Sequence, residues 1–302
     1  MEINASTRYC AVLGHPIRHS ASPAMQNAGF AALGLNWRYL AFDVRADQLR
    51  AGLEGAKALR FVGLNLTVPH KLLALEMVDE LDESARSWGA VNTIRFEALD
   101  PGGTWRPLAQ FTDEAPEPIR AKGFNTDADA VVRALRDNLG LKSMRDRVVL
   151  LLGAGGAGRV TALRLAFEKV GSLFLVNRTV KKAEDLAAEI RARFPHSNVI
   201  VGYPKGKVDL VVNATSLGLQ AKDGLPFDET LFSLRQSQAV YDMIYRPAET
   251  PLLKAGRAAG CHVANGLDML LHQGAGALEI WCGITAPLEP MRRALEKEVY
   301  GP

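Results

Sequence analysis

Four short polar clusters interrupt otherwise apolar segments in the first half of the chain. They carry the group types that can hold and protonate a small polar ligand: the hydroxyls of Ser20 and Ser22, then Asn65, Thr67 and Lys71, then Asn92, and finally the carboxylate of Asp127. Each cluster also has a plainer explanation, because serines cap helices, asparagines bond to loop backbone and a first-turn aspartate stabilises its own helix. A ligand site therefore requires a fold that brings the clusters together.

Lys71 is the member of these clusters that is hardest to explain as purely structural. Pro69 is suited to a helix start, so we predict that Lys71 lies in a first helical turn, where an ammonium is electrostatically disfavoured. Beside a carboxylate such as Asp127, a lysine can deliver a proton to a carbonyl oxygen as hydride arrives at carbon. Whether Lys71 and Asp127 meet is left open by the residues alone.

A glycine-rich turn lies in the second half of the chain. Gly153, Gly155 and Gly158 form G-x-G-x-x-G between the apolar strand Val148–Leu152 and a helical pattern. Glycines at this spacing permit a tight turn and close approach of the backbone to a pyrophosphate, which the helix N-terminus then stabilises. The spacing alone is a weak signal, but the strand before it and the helix after it favour a dinucleotide site over a plain turn.

The end of the following strand indicates which dinucleotide is bound. An NAD site usually has Asp or Glu about 20 residues after the glycine turn, to bind the ribose 2′-hydroxyl. Here the sequence is Asn177-Arg178-Thr179, followed by Lys181 and Lys182. A solvated run of charge is the plainer interpretation, but cations are mildly unfavourable at a helix start and a guanidinium pairs well with a 2′-phosphate. We therefore expect NADP.

Strand-like and helical segments alternate along the chain, which predicts an open, mostly parallel α/β fold. The predicted strands are Tyr9–Leu13, Trp37–Phe42, Phe61–Asn65, Arg147–Leu152, Leu173–Val176, Val199–Val201, Val208–Val212 and Ala239–Asp242. The predicted helices are Pro23–Leu33, Ala46–Lys57, one opening at Pro69, one from Thr126 to Gly140, Ala157–Lys169, Val180–Phe194, Leu267–Trp281 and Leu288–Val299, with a βα stretch near Pro251–Ala264. Prolines and glycines between Phe96 and Lys122 predict an irregular or hairpin insertion.

Composition excludes several classes of protein. The net charge of +3 on 302 residues is too small to indicate nucleic-acid or membrane binding, and no apolar run is long enough for a membrane span. Three cysteines without metal-ligand spacing, and a polar start without a signal-peptide core, indicate a reducing compartment. We expect a cytoplasmic protein without a bound metal.

The motifs together resemble those of shikimate dehydrogenases, in the family's order and across nearly the whole chain. The matching segments are His19–Pro23 (H-S-x-S-P), Asn65–Lys71 (N-x-T-x-P-x-K), Gly89–Thr93 (G-A-V-N-T), Gly123–Asp127 (G-x-N-T-D), Gly153–Gly158, Asn177–Thr179 (N-R-T), Asn213–Gly218 (N-A-T-S-x-G), Tyr241–Pro247 (Y-D-M-x-Y-x-P) and Gly266–Gln273 (G-L-x-M-L-x-x-Q). The resemblance implies a substrate domain of residues 1–125 and 265–302, an inserted Rossmann-type NADP-binding domain of residues 126–264, and C-terminal helices that return to the first domain.

The resemblance also implies roles for individual residues. Lys71 and Asp127 would exchange the proton while NADP exchanges the hydride, which interconverts 3-dehydroshikimate and shikimate. Ser20 and Ser22 would bind the substrate carboxylate, and the rest of the substrate would contact Thr67, Lys71, Asn92, Asp127, Tyr245 and Gln273. The cofactor would contact Gly153, Ala154, Gly155, Gly156, Ala157, Gly158, Asn177, Arg178, Thr179, Lys182, Thr215, Met243 and Gly266.

The chain departs from the family pattern at positions outside the residues assigned to chemistry. Gln26 stands where the family has histidine, Arg159 and Ala130 replace smaller residues, and the insertion Phe96–Lys122 is long. These departures leave open the substrate preference and a monomeric or homodimeric state. Quinate/shikimate dehydrogenases and aminoshikimate dehydrogenases are the nearest alternatives, although the former tend to carry an acid near Asn177–Thr179. A non-catalytic NADP-binding regulator is a further alternative, disfavoured because Lys71 and Asp127 are both present.

Overall fold

The structure, a computed structural model, describes residues 2–112, 115–220 and 222–301. The chain forms two compact units. The first runs to Thr126 and resumes at Leu271, and the second is the continuous segment Asp127–Leu270. The second unit is therefore inserted into the first, as expected for an inserted domain followed by returning helices.

The first unit is built on a seven-stranded sheet of mixed direction. Its strands are β1 (Arg8–Gly14), β2 (Trp37–Asp43), β3 (Gly63–Leu66), β4 (Glu80–Leu81), β5 (Thr93–Leu99), β6 (Trp105–Pro107) and β7 (Ile119–Phe124). The order is β2-β1-β3-β5-β7-β4, with β6 paired to β5. The pairs β1–β2, β1–β3 and β4–β7 are parallel, whereas β5 runs antiparallel to β3, β6 and β7.

The helices before the insertion point start and stop where capping chemistry predicts. They are α1 (Ser22–Ala32), α2 (Leu49–Ala58), α3 (His70–Leu73) and α4 (Glu83–Trp88). Pro23 lies in the first turn of α1. The Asp82 carboxylate accepts a hydrogen bond from the Ser84 N–H at the start of α4, which ends at Gly89 with φ of 60°. Leu49 and Leu53 of α2 are buried one turn apart against one face of the sheet.

The second unit is a doubly wound parallel sheet. Its strands are β8 (Val148–Leu152), β9 (Ser172–Val176), β10 (Val199–Val201), β11 (Val208–Asn213), β12 (Ser237–Asp242) and β13 (His262–Asn265). Its helices are α5 (Asp127–Leu139), α6 (Gly156–Phe167), α7 (Val180–Arg193) and α8 (Pro251–Ala258). The order β10-β9-β8-β11-β12-β13 is that of a Rossmann fold, which confirms the predicted class.

Two helices end the chain, α9 (Leu267–Cys282) and α10 (Leu288–Tyr300). Helix α9 carries the chain from the second unit back into the first, where the indole N–H of Trp281 donates to the carbonyl of Ile94 at 2.9 Å. Helix α10 packs on α1, with Met291 and Leu295 fully buried. No helix in the described part of the chain is long and apolar enough to cross a membrane.

Three sequence expectations need correction. The segment Phe96–Lys122 contains a hairpin, which is one of the two forms expected for it, although β5 begins at Thr93 and β7 extends to Phe124. Because β5 and β7 pair antiparallel, the first sheet is mixed rather than mostly parallel. The helix opening at Pro69 has only four residues. The stretch Pro251–Ala264 is a helix followed by a strand, because the Thr250 hydroxyl accepts from the Leu253 N–H and starts a helix at Pro251.

Candidate active site

Three of the four polar clusters belong to the first unit and lie at one edge of its sheet, whereas Asp127 is the first residue of the second unit. Segments after β1, β3 and β7 leave the sheet there, and backbone bonds join them. The Thr67 N–H donates to the Leu13 carbonyl at 3.0 Å, and the Val91 N–H donates to the Lys71 carbonyl at 2.9 Å. Asn92 reaches the same edge from the start of β5, since that strand runs antiparallel to β3.

Buried amide and hydroxyl groups link these clusters. The Tyr39 hydroxyl donates to Asn65 Oδ1 at 2.7 Å, and Asn65 Nδ2 donates to the Asn92 carbonyl at 3.1 Å and to Thr93 Oγ1 at 3.0 Å. Asn92 Nδ2 in turn donates to Thr126 Oγ1 at 2.9 Å. The Asn92 side chain is therefore fixed by the fold, through its bonds to the segment that precedes α5.

Ser20 and Ser22 are not helix caps. Residue Ala21 holds the N-cap position of α1, and no side chain caps that helix. Ser22 is buried, whereas Ser20 is half-buried and its Oγ accepts a long bond of 3.4 Å from the Ser22 N–H. The explanation of these serines as side-chain caps is thus removed, and both lie in the connection from β1 to the first turn of α1.

Lys71 is half-buried, in the four-residue helix α3. So short a helix develops little macrodipole, so the argument from the helix end loses its force. What favours a chemical role is location: the Lys71 carbonyl is bonded to the segment that carries Asn92, and Thr67, four residues earlier, packs so closely on Gly14 that a Cβ there would collide with it.

The segment around Asp127 is fixed through its neighbour. The Thr126 N–H donates to Asn92 Oδ1 at 2.8 Å, and Asp127 follows as the first, buried residue of α5. Near the chain end, Gln26 of α1, at the family's histidine position, donates through Nε2 to the Gly274 carbonyl at 2.9 Å, directly after Gln273. Thr126 and Gln273 are thereby tied to Asn92 and α1.

In the second unit, the glycine turn has the shape that a pyrophosphate requires. A side chain at Gly158 would collide with the Gly153 carbonyl, and Gly153 has φ of 106° and lies against the Ala214 backbone. Gly155 and Gly156 have open space around the position of a Cβ and are exposed at the start of α6. Packing and the tight turn therefore require glycine at 153 and 158, whereas Gly155 and Gly156 leave room for an anion.

Asn177 joins the glycine turn to the end of β9. Its Oδ1 accepts from the Ala154 N–H at 3.0 Å, and its Nδ2 donates to the Thr179 carbonyl at 2.9 Å. The Ala154 N–H is therefore already engaged. Ala154 is therefore expected to contribute to phosphate binding through its place in the turn and not through its N–H.

A cleft of about 900 Å³ lies over this turn and the strand ends beside it. Its lining includes Gly153, Gly155, Asn177, Arg178 and Thr215 among the expected cofactor residues. Among the described residues, the remaining expected cofactor residues do not line this cleft: Ala154, Gly156, Ala157, Gly158, Thr179, Lys182, Met243 and Gly266.

The cations at the end of β9 are not equivalent. Lys181 pairs with Asp185 at 2.9 Å, one turn along α7. Arg178 and Lys182 are exposed and form no ion pair with any described residue. The lining of the cleft contains one carboxylate, Asp228, and the Thr230 hydroxyl and N–H, which donate to it, hold its pKa below the usual range. The strand end therefore presents unpaired positive charge, as a 2′-phosphate requires.

Thr215 and Met243 are positioned by a buried carboxylate. Asp242 accepts hydrogen bonds from Asn213 Nδ2 at 2.9 Å and from the Thr250 hydroxyl at 2.6 Å. Asn213 Oδ1 accepts from the Thr215 hydroxyl at 2.7 Å. Burial raises the Asp242 pKa, and these bonds oppose that shift. The Met243 N–H donates to the Asn213 carbonyl at 3.0 Å, so one network sets both residues.

A second cleft, of about 950 Å³, opens at the other end of this sheet. It is lined by the loops that precede β8, β9 and β10, including Arg145, Lys169 and His196. It has no glycine turn, and it lies at the amino ends of parallel strands, where such folds rarely bind ligands. The cleft over Gly153 and Gly155 is therefore the candidate dinucleotide site.

The sequence reasoning missed several residues of the site. Tyr39 and Thr93 belong to the buried series of hydrogen bonds that reaches Asn92. Both lie in strands with a mainly apolar sequence, so their hydroxyls were not recognised. Tyr203 and Phe227 line the dinucleotide cleft, and both contact Phe232. They follow from the packing of a loop that has no sequence motif, so no signal could have identified them.

Family models match three parts of the chain. Residues 12–94 match the shikimate dehydrogenase substrate binding domain, residues 136–217 match shikimate / quinate 5-dehydrogenase, and residues 266–296 match the shikimate 5'-dehydrogenase C-terminal domain. The first match contains Ser20, Ser22, Thr67, Lys71 and Asn92, and the second contains the glycine turn and Arg178. Both halves of the site thus lie in matched segments.

Whole-chain relatives agree with these matches. A shikimate dehydrogenase (NADP(+)) of Methanopyrus kandleri is 37% identical, over 98% of this chain and 97% of its own. A crystal structure of a shikimate dehydrogenase in complex with NADP+ superimposes with a TM-score of 0.83 at 35% identity, covering 99% of this chain and 98% of the other. A quinate dehydrogenase from Corynebacterium glutamicum in complex with NAD has a TM-score of 0.78 at 30% identity, covering 95% and 98%. The chain belongs to the shikimate dehydrogenase family.

Proposed function

We propose that this protein interconverts shikimate and 3-dehydroshikimate with NADP as the redox partner. The observation that carries the proposal is the position of Thr67, Lys71 and Asn92 at one sheet edge. There the Val91 N–H donates to the Lys71 carbonyl, and Asn65 Nδ2 donates to the Asn92 carbonyl. Such an edge offers hydroxyl and amide groups for a polyhydroxylated ring and an ammonium for a carbonyl oxygen. The relative from Methanopyrus kandleri bears the name of this activity.

In this proposal the two units divide the work. Residues 1–125 and 265–302 bind the substrate, with Ser20 and Ser22 at its carboxylate and Thr67, Asn92, Tyr245 and Gln273 at the remaining groups. Residues 126–264 bind NADP over the glycine turn. Arg178 and Lys182 hold the 2′-phosphate, which is consistent with their lack of ion-pair partners among the described residues.

Lys71 and Asp127 carry the proton transfer in the proposed mechanism. The bound nicotinamide supplies or accepts the hydride. In the direction of reduction, the Lys71 ammonium donates a proton to the oxygen that becomes the alcohol, and in the reverse direction the Lys71 amine takes that proton back. Asp127 keeps Lys71 and the substrate hydroxyl oriented through its carboxylate. The bond of Thr126 to Asn92 supports this role, because it fixes the residue directly before Asp127.

The test is the initial rate of the purified protein with shikimate or quinate, each combined with NADP or NAD. We expect turnover mainly with shikimate and NADP. Turnover mainly with quinate or with NAD would contradict the proposal and assign the chain to the quinate branch of its family, to which the solved quinate dehydrogenase belongs. Binding of NADPH without turnover of either acid would favour a regulator.

A further inference from the structure

We propose that His70 is a positioning residue for Lys71. Its buried imidazole, bonded to the Val44 carbonyl, fixes the helix α3 and thereby the place from which the Lys71 side chain extends. The inference rests on the proposed function, because that function gives Lys71 the proton transfer. His70 touches no reacting group in this account and acts through Lys71.

Helix α3 cannot hold its own position. It has four residues, too few for a stable helix, because the cost of the first turn is recovered only over several further hydrogen bonds. Leu72 and Leu73 are 49% and 39% exposed, so they bury little apolar surface. Of the four residues, all of which the structure describes, only His70 is fully buried. The His70 side chain is therefore what anchors α3 in the interior.

The His70 ring makes this anchor through one hydrogen bond. Its Nε2 lies 2.8 Å from the Val44 carbonyl oxygen. A carbonyl oxygen can only accept, so Nε2 carries a proton and donates it. The other ring nitrogen, Nδ1, is buried and has no hydrogen-bond partner among the described residues. The hydrogen bonding of the ring is therefore directed at Val44.

The backbone at Val44 is itself fixed. Val44 directly follows β2, and its N–H donates to the carbonyl of Gly14, the last residue of β1, at 2.9 Å. Asp43, the last residue of β2, pairs with His15 Nδ1 at 2.6 Å. The connection after β2 is therefore bonded to the connection after β1 by backbone and by side chains. His70 joins α3 to this fixed point.

Backbone bonds complete the support on either side of Lys71. The His70 N–H donates to the Thr67 carbonyl at 2.8 Å, and the Lys71 carbonyl accepts from the Val91 N–H at 2.9 Å. Without the bond to Val44 these backbone bonds remain, but the buried end of α3 is no longer held. A displacement of about 1 Å in a reacting group can lower a rate about 100-fold, so a small shift of α3 matters.

The His70 ring is neutral in this arrangement. A proton on the buried Nδ1 would have no acceptor among the described residues, which is costly. Burial accordingly lowers the pKa of His70, the bond to the Val44 carbonyl opposes the shift, and the nearby His15 adds to it. What the ring supplies is therefore one N–H donor in a fixed place.

Steady-state kinetics of two matched variants provide the first test. Leucine at position 70 fills the space without a donor, whereas glutamine carries an N–H donor at the position of Nε2. We expect His70→Leu to lower kcat with shikimate about 10- to 100-fold, with the KM for NADP changed less than about 2-fold, and His70→Gln to keep kcat within about 3-fold. Rates are taken per folded molecule, counted by tryptophan fluorescence, because all the tryptophans lie in the first unit.

The control for these kinetics is Leu73→Ala, an exposed residue of the same helix, which should leave kcat and the KM for NADP unchanged. Equal kcat values for His70→Leu and His70→Gln would overturn the proposal, because the hydrogen bond would then have no effect of its own. An equal loss of kcat in Leu73→Ala would also overturn it, since any change in α3 would then suffice.

Hydrogen exchange of the cofactor-free protein tests the anchor without turnover. The Ala74 N–H donates to the His70 carbonyl and reports opening of α3. We expect it to exchange at least about 5-fold faster in His70→Leu, and at the unmutated rate in His70→Gln. The amides of α10, in the same unit, should not change. Unchanged exchange at Ala74 in His70→Leu would overturn the proposal.

A measurement on the unmutated protein covers the case in which His70→Leu does not fold. With isotope-labelled histidine, the nitrogen resonances of the His70 ring identify which nitrogen carries the proton, and we expect Nε2. A proton on Nδ1 alone would mean that the ring cannot donate to Val44, which would overturn the proposal. Failure of the unmutated protein to oxidise shikimate would instead overturn the proposed function, while the exchange and resonance data would still report the anchor.

Discussion

At the scale of single residues, Arg178 and Lys181 show how partners decide function. Both are exposed cations three residues apart, at the end of β9 and the start of α7. Lys181 is neutralised by Asp185, one turn away, whereas Arg178 has no ion-pair partner among the described residues and lines the dinucleotide cleft. The sequence places both near the cofactor, and only their partners distinguish them.

This difference predicts the effect of removing each cation. Arg178→Ala should raise the KM for NADP about 10- to 100-fold, because charge-assisted hydrogen bonds to the 2′-phosphate are lost, and it should leave the weaker use of NAD unchanged. Lys181→Ala is the control and should change neither. Equal losses with NADP and NAD after Arg178→Ala would contradict a 2′-phosphate role. Initial rates with both cofactors decide the question.

Two aspartates of the second unit predict opposite pH dependence of stability. Burial raises the pKa of Asp242, so its contribution to the free energy of unfolding is present below the ordinary carboxyl pKa and is lost as pH rises through the raised value. The N–H groups of Gln220 and Gly218 lower the pKa of the half-buried Asp223, so its contribution is present above the ordinary pKa and is lost as pH falls.

Urea unfolding followed by circular dichroism tests both signs. Between the ordinary carboxyl pKa, about 4, and neutral pH, Asp242→Asn should reduce the loss of stability that accompanies rising pH. Asp223→Asn should instead reduce the loss that accompanies falling pH below about 4. A stability profile of Asp242→Asn that runs parallel to that of the unmutated protein would show that Asp242 does not titrate in this range.

At the scale of elements, two glycines of the turn between β8 and α6 are expected to differ in their effects on stability and on cofactor binding. A methyl group at Gly158 meets the Gly153 carbonyl, so Gly158→Ala should reduce the free energy of unfolding by about 1 to 3 kcal/mol and weaken NADPH binding as well. Gly155 has open space and a negative φ of −78°, so Gly155→Ala should fold normally.

The methyl group of Gly155→Ala would occupy the room left for the pyrophosphate. We therefore expect NADPH to bind at least about tenfold more weakly to this variant, at unchanged stability. Titration of NADPH fluorescence, beside urea unfolding, measures the two effects. Normal binding by Gly155→Ala would place the pyrophosphate elsewhere.

The elements that the sequence predicted best are those with their own local signals. The parallel strands of the second unit are continuous apolar runs, and β8 through β12 lie where they were expected. The antiparallel pairing of β5 with β3 and β7 was not predicted, because it depends on residues far apart in the chain and on a proline-rich connection.

At the scale of the whole molecule, the first unit depends on the chain end. Helix α10 packs on α1, and a Cβ at Gly29 would lie 3.1 Å from Cγ of the fully buried Met291. All four tryptophans, at positions 37, 88, 105 and 281, belong to this unit. Tryptophan fluorescence therefore reports unfolding of the first unit alone.

Met291→Ala should lower the free energy of unfolding seen by tryptophan fluorescence by about 2 to 5 kcal/mol, because it leaves a cavity between α1 and α10. The control on the same helix is Arg293→Ala, an exposed side chain paired with Glu289, for which we expect a change within about 0.5 kcal/mol. Equal effects of the two substitutions would mean that α10 does not complete the first unit.

The sequence identified the residues that can bind or transfer a proton better than it identified the residues that hold the site in place. Lys71, Asn92 and Arg178 were identified because their types and their places beside predicted elements suggest binding or proton transfer. The residues whose hydroxyls support Asn92, directly or through Asn65, were not identified: Tyr39, Thr93 and Thr126. A hydroxyl in a strand or loop has no distinct pattern until its buried partners are known. The pairing of Lys71 with Asp127 remains a prediction.

The most direct test of the account is the rate of NADPH formation from shikimate by the unmutated protein and by Lys71→Ala, with NADPH affinity measured for both. The account predicts that the unmutated protein turns over and that Lys71→Ala loses at least about a hundredfold in kcat while its affinity for NADPH stays within about 2-fold. Comparable losses in kcat and in NADPH affinity, or full turnover without Lys71, would contradict the proton-transfer role on which the account depends.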